Sequence, residues 1–324
     1  MSIADDRKFL GALVGDGRPL LVLSSVFLLA CGAFGIFQAS TGQFLPHDAA
    51  FLGMSADDLC AIDGCRVVHF MIHDRIAFAG VLIAIGILYL WLTEFPLRGA
   101  EAWAWWALAV SGGVGFASFL AYLGYGYLDA WHEAATLTLI PIFASGLVRT
   151  RRLARVIVPP QPVAPSTPAG YGRALLLLSS AGIVIAGLVI TAVGMTTVFV
   201  PQDLEFIGET RAAIASIHPH LLPLIAHDRA GFGGALTSFG VAMLASLRYG
   251  QSSPALWEAL SLSGAAGFGT AVGIHPMIGY LSVAHLGPAV AGSVVFAAGL
   301  ALVRPEGRPL HRQKCSNDRQ WVSP

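Results

Sequence analysis

Charge is scarce in this chain. Only 12% of its 324 residues are charged, and 19 Lys and Arg balance 19 Asp and Glu. A soluble domain carries about twice that charged fraction. The scarcity argues against a soluble domain, and no nucleic-acid partner is expected. Cysteine is scarce too, with four residues. The Gly-rich stretches follow no strand, so no phosphate-binding loop is implied. No Ser-His-Asp or Cys-His arrangement can be argued from spacing. The middles of the apolar runs carry no charge, which argues against an ion-coupled carrier.

What is abundant is apolar. Hydrophobic residues make up 55% of the chain and the mean hydropathy is +0.69. Spanning a bilayer takes about 20 apolar residues. Eight runs approach that length, roughly at 19–40, 74–93, 102–124, 132–148, 173–194, 228–247, 256–276 and 283–303. With the N-terminus in the cytoplasm, fifteen of the nineteen Lys and Arg fall on the inner side. Only Arg66, Arg75, Arg211 and Arg229 fall outside, so the positive-inside rule is obeyed. The expectation is an all-α integral membrane protein of a bacterial inner (cytoplasmic) membrane, with both termini cytoplasmic. The first run has no small-residue cleavage site and reads as a retained helix. Cys60 and Cys65 fall in the first outer loop, where their spacing permits a short disulfide. Cys31 lies within a helix and Cys315 in the cytoplasmic tail.

The chain also repeats itself. His73-Asp74-Arg75-Ile76-Ala77-Phe78-Ala79-Gly80 recurs as His227-Asp228-Arg229-Ala230-Gly231-Phe232-Gly233-Gly234, 154 positions later. Phe44-Leu45-Pro46-His47-Asp48 with Phe51-Leu52-Gly53 returns as Phe199-Val200-Pro201-Gln202-Asp203 with Phe206-Ile207-Gly208. Gly126-Tyr127-Leu128 followed by His132 returns as Gly279-Tyr280-Leu281 followed by His285. Four spans per copy put both copies in the membrane from the same side, as parallel repeats. The chain then divides into a first repeat (1–150), a Pro- and Arg-rich linker (151–172), a second repeat (173–304) and a tail (305–324). Short connections predict that each copy closes as its own four-helix bundle.

The repeated polar residues are the candidates for function. His73 and His227 read as opening the second helix of each copy, with His132 and His285 opening the fourth. The bland reading is structural. Asp74 and Asp228 would complement a helix N-terminus, and Arg75 and Arg229 would pair locally or reach headgroups. The functional reading pairs His73 with His132, and His227 with His285, as axial ligands of haem. Asp74 and Asp228 could then hold the other ring N–H, with Asp48 or Asp203 as substitutes. Arg75 and Arg229 would meet the propionates.

This constellation resembles the haem A synthase family. The shared features are eight helices in two copies, a His opening the second and fourth helix of each, an Arg close behind the first, and an outer-loop Cys pair. The family places a Glu three residues before the His and an Arg directly after it. Here Phe70 and Leu224 stand at the Glu positions and Asp precedes Arg. The resemblance implies haem at the four histidines and an oxidoreductase or electron-transfer role, with a respiratory-chain component as partner. A second reading is a zinc or iron site without porphyrin, built from the same histidines together with His69 or Glu133. It would serve a metal-dependent enzyme acting on a membrane lipid or quinone. A third is a small-solute transporter. His275-Pro276, in the seventh helix, has no matching His in the first copy and reads as a kink.

Overall fold

The computed structural model describes residues 11, 14–119, 127, 130–162, 164 and 166–305, without the side chains of Phe119 and of 130–133. It is all-α. Among the described residues there is no strand, only one bridge between Glu101 and Val156. Twelve helices are described: α1 (Arg18–Ser40), α2 (Pro46–Leu52), α3 (Ala56–Asp63), α4 (Arg66–Leu92), α5 (Ala102–Phe119), α6 (Ala130–Thr150), α7 (Pro168–Met195), α8 (Pro201–Ile207), α9 (Arg211–Ile217), α10 (Leu221–Tyr249), α11 (Pro254–Ile278) and α12 (Val283–Leu302). A π-turn over Thr93–Leu97, holding Pro96, extends α4.

Local chemistry sets the ends. Proline stands in the first turn of α1, α2, α7, α8 and α11, where its missing N–H costs nothing. Thr167, Thr210 and Ser253 cap α7, α9 and α11 through their hydroxyls. Asp63 accepts from the backbone N–H groups of Cys65 and Val67 and so starts α4. The repeated Gly53 and Gly208 end α2 and α8 at φ 65° and 80°, the left-handed region that glycine enters without strain.

Five helices are long and apolar enough to cross a membrane: α1, the extended α4, α7, α10 and α12. The expected third, fourth and seventh spans, α5, α6 and α11, are helical but do not reach that length and apolarity among the described residues. Linker residues 168–172 belong to α7, which starts at Pro168 behind the Thr167 cap.

The packing departs from two self-contained bundles. α4 and α10 lie against each other at the centre. α1 and α11 flank α4, while α7 and α5 flank α10. The third long helix of each half therefore packs on the second long helix of the other. The last glycine of the repeated octet explains the exchange. A methyl group on Gly80 would overlap the Thr270 side chain of α11, and one on Gly234 would overlap Ser118 of α5. Small residues at these two crossings let the backbones meet. Hydroxyls lock the contacts: Ser238 donates to the Ser111 carbonyl at 2.7 Å, and Ser263 to the Ala84 carbonyl at 3.1 Å.

At one end, α2, α3, α8 and α9 form a cap with its own apolar core, including Leu52, Leu59, Ile207 and Ile214. The cap is tied across the halves: Arg66 donates to the Phe206 carbonyl at 2.8 Å, and His220 meets the Phe51 carbonyl at 2.6 Å. A Cys60–Cys65 disulfide closes the turn between α3 and α4. Val67, Val68, Phe70 and Met71 bury themselves under this cap. This is why α4 begins at Arg66 and not at His73.

Candidate functional site

That longer helix moves the octet. His73 is the eighth residue of α4, roughly 10 Å from its start at 1.5 Å per residue. His227 is the seventh residue of α10. The expectation that these histidines open their helices is therefore corrected, and so is the capping role for Asp74 and Asp228. Neither carboxylate lies in a first turn. Charge does enter the interior of two long helices, contrary to the sequence expectation. The hydropathy runs had taken the polar residues as span boundaries.

The octets face each other across the α4–α10 contact, and each arginine reaches into the other half. Arg75 Nε donates to Asp228 at 2.7 Å, and its Nη1 meets Asp48 at 2.8 Å. Arg229 Nε donates to Asp74 at 3.0 Å, and its Nη1 to Asp203 at 2.6 Å. Tyr280 donates to Asp203 at 2.8 Å, and Tyr127 to Asp48. The guanidiniums are turned inward, which corrects both the local pairing with the neighbouring Asp and the reach to headgroups or propionates. Asp48, Asp74, Asp203 and Arg229 are almost wholly enclosed. Burial of charge is tolerated only with partners of this quality. Four carboxylates face two guanidiniums, an excess of two negative charges among the described residues.

At the Arg229 end, three imidazoles converge. His73 comes from α4, His275 from α11 and His285 from α12. Their ring centroids are 4.5 to 5.4 Å apart, and one donor atom from each lies within 4.8 Å of the others. Each Nδ1 is directed elsewhere. His275 Nδ1 is 2.7 Å from the Ala271 carbonyl, His285 Nδ1 is 3.4 Å from Asp203, and His73 Nδ1 is 3.2 Å from Asp74. The Ala271 carbonyl, accepting from His275 Nδ1, leaves its Nε2 as the lone pair. His275 Nε2 is buried without a hydrogen bond among the described residues. Tyr280 stacks on His285 at 4.4 Å. Burial, and then the Asp203 carboxylate, push the Tyr280 hydroxyl well above the usual tyrosine range.

At the Arg75 end, His227 takes the place of His73 among the described residues. His227 Nδ1 is 3.0 Å from Asp228, and its ring meets Tyr127 edge-on at 4.7 Å. Beside them lies a cavity of about 590 Å³ enclosed by α1, α4, α5, α6 and α10.

Of the expected histidine pairs, His227–His285 is replaced, while His73–His132 involves a side chain outside the described residues. His285 sits with His73 and His275, because α11 crosses to α4 and carries the start of α12 with it. The side chains of His132 and Glu133 lie outside the described residues. His69 is exposed and apart from the cluster. His275 was not among the expected ligands, since it has no counterpart in the first copy. Tyr127, Tyr280, Asp48 and Asp203 were flagged by the repeats, but nothing in their spacing tied them to the arginines.

Comparison with known protein families, curated proteins and solved structures finds no match. The chemistry of the site therefore rests on its own geometry.

Proposed function

We propose that this chain is an eight-span integral membrane protein, built as two parallel copies, that holds a transition-metal ion between His73, His275 and His285. The observation that carries this reading is the convergence of three imidazoles, two buried and one partly buried. Three metal–nitrogen bonds of about 2.1 Å at tetrahedral angles put the donors roughly 3.4 Å apart, so small ring rotations close the set. The excess negative charge of the network favours a cation there. Imidazole suits zinc or iron, and three ligands leave a fourth position open to water or substrate. The class of activity this supports is a metal-dependent membrane enzyme acting on a lipid or a quinone. Asp203 and Tyr280 stand beside His285 as a hydrogen-bonded pair able to hold a proton.

The haem expected between His227 and His285 is not favoured, because His285 lies with His73 and His275, and a haem between His73 and His285 is not favoured either. Axial imidazoles lie on opposite faces of a porphyrin, whereas these rings crowd one point with His275 wedged against them. The apolar outer faces of α1, α7 and α12, and the cytoplasmic excess of Lys and Arg, support an inner-membrane placement with both termini inside. The cap then lies outside, where the Cys60–Cys65 disulfide is stable.

The test is metal analysis of the purified full-length protein, before and after chelation and reloading with zinc or ferrous iron. Stoichiometric metal that His275→Ala does not retain is expected. Wild-type protein that takes up neither metal sinks the reading.

A further inference from the structure

At the end of the bundle opposite the cap, four arginines stand together. Arg149 lies in the last turn of α6, and Arg151, Arg152 and Arg155 follow it. All four are exposed. The arginine ion pairs among the described residues at this end, Arg18 with Asp16 and Arg98 with Glu94, leave them out. The nearby Glu101 accepts from the Trp103 indole. Arg149 complements the C-terminal end of its helix, but Arg152 and Arg155 lie beyond that helix.

A bias of arginine toward one side of a membrane requires only that the charges be there. These are also held in place. Trp105 of α5 donates its indole N–H to the Leu147 carbonyl at 2.8 Å. The Arg151 guanidinium lies 4.8 Å over that ring and 5.7 Å over Trp106. The second half repeats the device: Trp257 donates to the Leu300 carbonyl at 3.0 Å, and Arg304 lies 5.9 Å over its ring. Stacking uses the face of a guanidinium and leaves its N–H edge for an anion. The chain beyond α6 is pinned as well. Arg155 and Val156 donate their backbone N–H groups to the Ala100 carbonyl at 3.0 and 2.9 Å, and Val156 accepts from Ala102 at 2.9 Å. Arg155 Nε donates to the Arg152 carbonyl at 2.7 Å, which holds the two side chains close.

Exposed apolar side chains border the arginines. Trp106 lies under Arg151, Val148 precedes Arg149, and Ile157 follows Arg155. A free anion gains nothing from such neighbours, whereas an acyl chain does. Arginine matches phosphate oxygens with paired N–H donors, and basic clusters just beyond a span attract anionic lipid. We propose that Arg151, Arg152 and Arg155 hold the phosphodiester of an anionic phospholipid, its acyl chains beside Trp106. The proposal rests on the membrane placement argued above and is independent of the metal reading.

The experiment reconstitutes the full-length protein in nanodiscs of phosphatidylglycerol and phosphatidylcholine in equal parts. Native mass spectrometry then counts the lipids retained on release. Phosphatidylglycerol is expected to exceed phosphatidylcholine roughly tenfold, the scale of two arginines near an anionic headgroup, and to fall off as salt rises. Arg151→Gln, Arg152→Gln and Arg155→Gln together should abolish the preference. Arg98→Gln, which removes a charge already paired with Glu94 at the same end, should keep it. Excess soluble glycerol phosphate should not displace the lipid. Equal retention of both lipids, a preference insensitive to salt, or one unchanged in the triple variant would each overturn the proposal. So would complete loss in Arg98→Gln, or displacement by glycerol phosphate, which marks a site for free phosphate. A protein that does not enter nanodiscs overturns the membrane reading and this proposal with it.

Discussion

The two ends of the central network use the same parts and finish differently. Each has an Arg between two Asp, a Tyr on one of those Asp, and a His beside the other. Around Arg229, His275 and His285 close over His73 and leave a point for an ion. Around Arg75, a largely apolar cavity lies beside His227, and the side chain of His132, the counterpart of His285, lies outside the described residues. The difference teaches that the ion pairs position the octets, while the chemistry is set by what the third and fourth helices bring. His275 on α11 has no counterpart in the first copy.

The largest effect that tests this contrast is on metal content. His275→Ala is expected to drop bound metal from about one equivalent per chain to near zero, since two imidazoles fall short of the three protein ligands of an open site. His227→Ala should leave it unchanged, as read by elemental analysis. Equal loss in both variants would erase the distinction between the ends.

Next comes the network itself. Arg229→Met leaves Asp74 and Asp203 buried without a counter-charge, at a cost of about 3–5 kcal/mol. Arg75→Met should cost less, because Arg75 is 17% exposed against 6% for Arg229. Thermal unfolding in detergent measures both. A smaller effect is expected at the helix crossings. Gly80→Val and Gly234→Val should each destabilise by about 1–3 kcal/mol through overpacking. Gly113→Val is the control, since nothing stands near its missing side chain.

An effect of similar size, but one that depends on pH, concerns Tyr280. Tyr280→Phe removes a hydrogen bond to a carboxylate, worth about 1.5–3 kcal/mol. Because burial and Asp203 raise its pKa, the folded state keeps this proton where an unfolded tyrosine, with a pKa of about 10, loses it. Stability is therefore present below about pH 10 and lost as pH rises beyond it. Tyr280→Phe should flatten that alkaline decline, measured as melting temperature against pH. An unchanged decline would remove Tyr280 from the network.

Much of this was legible in the residues. The apolar runs gave the helices, and the repeats flagged Asp48, Asp203, Tyr127 and Tyr280 along with the octets. Hidden was which half each side chain would serve. The octets carry no mark that Arg75 meets Asp228 and not Asp74, because that depends on how α4 and α10 face each other. The same ignorance paired His285 with His227. Hydropathy also misplaced the start of α4, since Val67 and Phe70 belong to a helix whose apolar partners come from the cap, far along the chain. His275 was invisible to a method that trusts repetition, for it is the residue the repeat lacks.

The reciprocity of the ion pairs has one more consequence. Arg75 meets Asp228 while Asp74 meets Arg229, so a position on one half contacts the neighbouring position on the other, and the reverse. That is the contact rule of a two-fold symmetric dimer. Its axis here runs between two segments of one chain. A segment carrying one octet holds half of each ion pair. Two such segments, joined covalently or merely side by side, are the least that can complete both. The joining segment then does something that association alone cannot, because it lets the two halves differ.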